Sequence, residues 1–292
     1  MPKPGNVIEI KKLKKFFGDV KAVDGISFDV ERGEIFGFLG PNGAGKTTAI
    51  RCMMDLLRPD AGQITIFGLD ARADAPQLKK KIGYLAGEVS LYGNWTGQEH
   101  IRFVEKMSKP SKIVRQLVKD LSFDVRPKTK NLSSGNKQKL GLILALMKQP
   151  ELLILDEPTL GLDPLLQNKI YEILEKSASD GTTVFMSSHN LAEVERICKR
   201  VGIIKNGKLI SVDSVRQLKR KKIYNIFAWF AKKAPKDGFE MDGVEVIKES
   251  PDGVVLRVKG DINPVLERIK QYDLRDIEIT HESLEQVFLE FY

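Results

Sequence analysis

The stretch "EIFGFLGPNGAGKTTAIRCMMDLL", residues 34–57, begins as an apolar strand and ends as a helix. Between them it turns through Gly40-Pro41-Asn42-Gly43-Ala44-Gly45-Lys46-Thr47, with Thr48 following. This is the G-x-x-x-x-G-K-[ST] pattern in its required strand–loop–helix context. The glycines let the backbone curl until several N–H groups point at one anion, and the helix N-terminus adds its positive dipole end. Lys46 is placed to reach β- and γ-phosphates, and Thr47 to hold Mg²⁺. Glycine turns before helices are common; Gly, Gly, Lys and Thr at this spacing are specific to phosphate binding.

Further along, "ELLILDEPTLGLDP" (151–164) carries a continuous apolar run, Leu152 to Leu155. Such a run suits a strand buried on both faces of a parallel sheet. It ends in Asp156 and Glu157, and α/β sheets place their chemistry at the carboxyl ends of strands. Asp156 fits a Mg²⁺ ligand, direct or through water. Glu157 fits the base that orients or deprotonates an attacking water. A third strand, "TTVFMSSHN" (182–190), ends in His189, one of three histidines in the chain. Its position points to a γ-phosphate sensor that helps hold the water.

A chain of 292 residues suffices for a main domain and a smaller one. The hydrophobic share of 42% and charged share of 29% are those of an ordinary globular protein. The longest apolar run, "LGLILALM" (140–147), is too short to span a bilayer and reads as a buried helix. The N-terminal "MPKPGNVIEI" has no apolar signal core, so a cytoplasmic location is expected. Cys52 and Cys198 form no CxxC pair and read as buried thiols.

The net charge of +8 is uneven. Residues 223–292 hold 9 Lys and Arg against 14 Asp and Glu, so they are acidic by −5 and the remainder basic by +13. Five of the seven residues from Arg216 to Lys222 are basic, a run that marks a boundary between domains 1–222 and 223–292.

One segment, "LSSGNKQ" (132–138), has no carboxylate or histidine, only a polar turn entering a helix. Taken with its neighbours, it resembles the signature motif, usually LSGGQ, of the ATP-binding subunits of ABC transporters. "GLD" (161–163) resembles the loop that follows the acidic pair in that family. "LKKFFGDVKAVDGISFDVERGE" (13–34) resembles its N-terminal β region. There Phe17 matches the aromatic residue that stacks on adenine, and Phe16 is expected in the core. The resemblance covers about residues 6–215, with the motifs in family order.

The resemblance implies an α/β P-loop NTPase core with an N-terminal antiparallel β region. A short helical subdomain at about 88–140 and a small C-terminal α+β domain complete the expected fold. It implies ATP and Mg²⁺ as ligands, and a homodimer closed head to tail. Ser133, Ser134 and Gly135 of one subunit would then cover the γ-phosphate held by the other. It also implies a separate polytopic permease, and a place on the inner face of the cell membrane. Ser134 and Asn136 depart from the usual glycine and glutamine. Gly87, in "IGYLAGEVSLYGNWT" (82–96), stands where the family carries glutamine or glutamate, and Glu88 is the neighbour that could substitute.

The short helical stretch resembles the drug- and lipid-exporter branch, with Tyr92 and Trp95 near the expected coupling surface. In the tail, "VEVIKESPDGVVLRV" reads as two strands joined by a Pro-Asp-Gly turn. "NPVLERIKQY" reads as a helix capped by Asn263. "LRDIEITHESLEQVFLEFY" resembles the C-terminal segment of that branch, with Leu284, Val287, Phe288 and Phe291 on one helix face and Ser283 with Gln286 as a capping box. The rival is a soluble ABC-type ATPase acting on nucleic acid or ribosomes. The absence of sustained heptads and the single ATPase domain weigh against it. A small-molecule kinase is disfavoured by the signature motif.

Overall fold

The computed structural model describes residues 5–107, 113–220, 223–232 and 238–281. The chain divides after Val215 into two compact units, at the head of the basic run.

In the first unit β1 (Asn6–Phe17) and β2 (Val20–Glu31) form a long antiparallel hairpin. β3 (Ile35–Leu39) is buried at every residue and leads into α1 (Lys46–Met53). β4 (Ala61–Ile66) and β5 (Leu69–Asp70) complete a sheet of order β2-β1-β4-β5. After α2 (Ala75–Leu78) and β6 (Ile82–Leu85) come three helices, α3 (Gly97–Lys106), α4 (Val114–Asp120) and α5 (Ser134–Leu146). Thr96 caps α3 in a reciprocal capping box with Glu99. The chain then runs through β7 (Leu152–Asp156), α6 (Pro164–Ser179), β8 (Thr183–Ser188) and α7 (Leu191–Ile197). β9 (Arg200–Lys205) and β10 (Lys208–Ser214) follow, and α8 (Val215–Arg220) begins at the division between the units.

The second sheet has the order β10-β9-β3-β8-β7-β6, and all but β10 run parallel. Its central strands are buried along their whole length, which is why they carry unbroken apolar runs. The rings of Phe28, Phe36, Phe38 and Phe185 meet at centroid distances of 5.3–6.1 Å and join the two sheets. Register decides the chemistry. Leu39 lies beside Ser188, and Asp156 beside Ser187. Parallel pairing therefore delivers three strand ends, and the loops after them, to one edge of the sheet.

Both cysteines are buried and free, and burial pushes the Cys52 thiol up to about 11. Phe16, expected in the core, is only half-buried, and its N–H donates to Asp60 at the strand end. No helix among the described residues is long and apolar enough to cross a membrane.

The second unit is one antiparallel sheet with a helix. β11 (Ile223–Phe230), β12 (Val244–Ser250), β13 (Gly253–Lys259), α9 (Asn263–Ile269) and β14 (Leu274–His281) give the order β12-β13-β11-β14. Ile226, Ala228, Leu256 and Val258 face Val265 and Ile269 of the helix in one core. The β12–β13 turn falls at Pro251 and Asp252. Asn263 is not the cap of α9; that place is Ile262. The Asp261 carboxylate accepts both the Asn263 N–H and its side-chain amide, which turns Asn263 into a donor. The helix expected over residues 282–292, with its capping box and apolar face, lies outside the described residues.

Candidate nucleotide-binding site

The loop after β3 shapes a cleft of about 600 Å³, lined by residues 41–48, by Asp19 to Ala22, and by Glu157. Gly45 caps α1 at φ 107°, and a Cβ there would lie 2.2 Å from the Ala22 carbonyl oxygen. Only glycine fits. No side chain caps α1, and its first turn carries no acid. Its leading N–H groups thus remain available to an anion.

Lys46 is buried, and its Nζ donates to the carbonyls of Gly40 at 2.6 Å and Pro41 at 3.0 Å. The same ammonium lies 3.1 Å from Glu157 Oε1. That oxygen has no partner of hydrogen-bond geometry, so the contact is an ion pair only. Phe17 is 49% exposed and stands at the turn from which Asp19 and Val20 line the cleft, with Lys15 Nζ 5.4 Å from its ring centroid.

At the far wall, Glu157 adopts φ 50°, a left-handed conformation that non-glycine residues seldom take. Several elements hold it there. Its N–H donates to Ser187 Oγ at 3.0 Å, and its Oε2 lies 2.8 Å from His189 Nδ1. Its carbonyl accepts from Gln138 Nε2 at 3.2 Å. Ser187 also donates to Asp156 Oδ1 at 2.6 Å. The other oxygen, Asp156 Oδ2, is buried without a hydrogen-bond partner. A buried bare carboxylate oxygen is costly unless a cation or water takes it. Beside it lies Gly87, where a Cβ would come within 3.2 Å of that oxygen. Glu88 is exposed. No group of three His, Cys, Asp or Glu suited to a metal occurs among the described residues. A divalent ion here would rest on Asp156, Thr47, phosphate oxygens and water, the ligand set Mg²⁺ takes in nucleotide sites.

A second, buried network adjoins this one. The Glu193 carboxylate accepts from Thr159 Oγ1 at 2.6 Å and Ser188 Oγ at 2.5 Å. Burial raises its pKa, and the two hydroxyls pull the other way.

The fold thus brings Gly40 to Thr48, Asp156, Glu157 and His189 to one edge. It does not bring the signature turn there. Ser133, Ser134 and Gly135 are absent from the cleft lining; Ser133 instead caps α5, accepting from the Asn136 N–H at 3.3 Å. Ser187, Gln138, Thr159 and Glu193 escaped the reading of the sequence. Each is a polar residue of an ordinary strand, loop or helix, and only its partners give it meaning.

Known proteins resemble this chain in the same terms. A family profile described as "ABC transporter" matches residues 23–160. A probable multidrug ABC transporter ATP-binding protein, YbhF of Escherichia coli (strain K12), is 39% identical over 74% of this chain, which spans 39% of that relative's length. The linearmycin resistance ATP-binding protein LnrL of Bacillus subtilis (strain 168) is 37% identical, over 73% of this chain and 70% of its own. A solved ATP-binding subunit of an ABC transporter superposes with a TM-score of 0.67 at 29% identity, over 73% of this chain and 92% of its own. With a relative 37% identical over 73% of this chain and 70% of its own, the chain belongs to the family of ABC transporter ATP-binding proteins.

Proposed function

We propose that the chain is the ATP-hydrolysing subunit of a multi-chain exporter, working as a head-to-tail homodimer on the inner face of the cell membrane. One observation carries the dimer. The cleft has a phosphate loop and a held carboxylate, while the signature turn, with Ser133 capping α5, lies outside the cleft lining. In this reading, Ser133, Ser134 and Gly135 close over ATP bound to the other copy. The names of the relatives, multidrug and linearmycin resistance, support export.

The residues divide the work. The phosphate-loop N–H groups and Lys46 hold the β- and γ-phosphates, and Phe17 stacks on adenine. Thr47 and Asp156 would hold Mg²⁺, which would supply positive charge against the phosphates. Glu157 takes the proton of the attacking water or orients it, and His189 holds Glu157 and the γ-phosphate in register. A separate polytopic permease converts closure into transport. The coupling surface is the aromatic cluster of Tyr92, 63% exposed, and Trp95, which precede α3, with Phe103 on that helix.

Membrane association is the test. Extraction of membranes in mild detergent should yield the tagged chain with a polytopic partner, and added Mg-ATP should be hydrolysed by that complex. Recovery with ribosomes or nucleic acid, and none with membranes, would sink export.

The loop at Gly87 gives a second test. A Cβ at 87 crowds the Asp156 oxygen assigned to Mg²⁺. Gly87→Ala is expected to raise the Mg²⁺ concentration for half-maximal ATPase activity by about threefold to tenfold. Glu88→Ala, altering an exposed side chain, should shift it by less than about twofold. A large effect at Glu88 and none at Gly87 would transfer the metal role to Glu88.

A further inference from the structure

Helix α5 does more than present the signature turn. Along its length it touches the loops that carry the chemistry of its own subunit. A Cβ on Gly135 would lie 3.2 Å from Leu162 Cδ2, in the loop after the acidic pair. One turn on, Gln138 is 6% exposed, and its Nε2 donates to two successive carbonyls, Glu157 at 3.2 Å and Pro158 at 3.3 Å. One turn further, a Cβ on Gly141 would lie 2.7 Å from Leu85 Cδ1 and 3.1 Å from Val89 Cγ1, next to the Gly87 loop. Gly135 and Gly141 let the first half of the helix approach closely, and a carboxamide reaches out between them.

The carboxamide lands where the backbone is least able to hold itself. Glu157 is left-handed at φ 50°, off the ordinary β and α regions. Such a conformation persists only when its surroundings over-determine it. Ser187 fixes the N–H side and His189 the carboxylate. On the carbonyl side, the Leu160 N–H closes a local turn at 3.2 Å, and Gln138 is the anchor from a different element. A buried amide without its acceptors would be costly, so the contact is held firmly.

We propose that Gln138 is a positioning residue for Glu157: it ties the main chain of the base to the signature helix of the same subunit. This rests on Glu157 being the base and on the signature turn meeting the partner copy's ATP. Engagement of that turn by the partner's nucleotide then bears directly on the aim of this subunit's own carboxylate. The two composite sites communicate through α5, with no need of a third element.

The experiment uses the full chain and four proteins: wild type, Gln138→Leu, Glu157→Gln and the double variant. Leucine keeps the burial and helix propensity and removes the donor; Gln138→Met, unbranched, is the second choice if leucine fails to fold. Equilibrium ATP binding, thermal melting and single-turnover hydrolysis are measured on each. Gln138→Leu should keep ATP affinity within about twofold and lose about tenfold or more in hydrolysis, since small misplacements of a catalytic group cost rate and not binding. Added to Glu157→Gln it should cost nothing further, because both changes act through one group. Full-speed hydrolysis by Gln138→Leu, with Glu157→Gln slow, overturns this inference alone. An equal further loss in the Glu157→Gln background also overturns it, making Gln138 a general stabiliser. Normal turnover by Glu157→Gln itself would instead remove the base assignment beneath it.

Discussion

Glu157→Gln is expected to bind ATP as wild type does and to hydrolyse it about 10²–10⁴-fold more slowly. The substitution is isosteric, so the Glu157 N–H still donates to Ser187 Oγ and its carbonyl still accepts from Gln138. The phosphate loop, with its glycines and the free N-terminus of α1, is untouched. What disappears is the carboxylate that faces His189 at 2.8 Å and Lys46 at 3.1 Å. A carboxamide cannot accept a proton from water at neutral pH. ATP should therefore accumulate in a closed dimer, visible by light scattering after size exclusion. Near-normal turnover in this variant would end the assignment of Glu157 as the base.

A pair of inactive variants should restore a working site when mixed. Lys46→Ala removes the buried ammonium of the phosphate loop, and Ser133→Arg places a bulky cation at the cap of α5. In either homodimer both composite sites contain one damaged half, and ATP-driven dimerisation is expected to be lost. In the mixed dimer, two-fold symmetry gathers both lesions at one site. The other site joins the intact loop of the Ser133→Arg chain to the intact signature of the Lys46→Ala chain. That whole site should trap ATP and hold the mixed dimer together, measured with differently tagged chains whose exchange is confirmed separately. If each chain used its own signature turn, no mixed dimer would hold an intact site. Absence of ATP-driven mixed dimers would then count against action across the interface. The fold already separates the two parts, since neither Ser133 nor Gly135 lines the cleft that holds Lys46.

The residues that bind phosphate could be read directly from the chain because they are local. Gly40 to Thr48 are consecutive, and their geometry follows from a strand, a glycine turn and a helix start. Leu152 to Leu155 announce a strand buried on both faces by composition alone. The end of such a strand is where Asp156 and Glu157 have to emerge. Polar residues without a local pattern were illegible. Ser187 is one serine in a strand until parallel register sets it beside Asp156 and below the Glu157 amide. Gln138 is an ordinary helical glutamine until the packing of α5 brings it to two carbonyls some twenty residues away in sequence. Asn263 departs from its expected role for a related reason: the Asp261 carboxylate accepts both its N–H and its side-chain amide. Local backbone geometry and hydrophobic period are written in adjacent residues, so the sequence alone determined the fold class, the phosphate loop and the acidic pair. The left-handed pose of Glu157, the bare Asp156 oxygen against Gly87 and the exclusion of the signature turn from its own cleft depend on contacts between distant segments. Those contacts exist only after sheet register and helix packing have been set, and no run of adjacent residues records them.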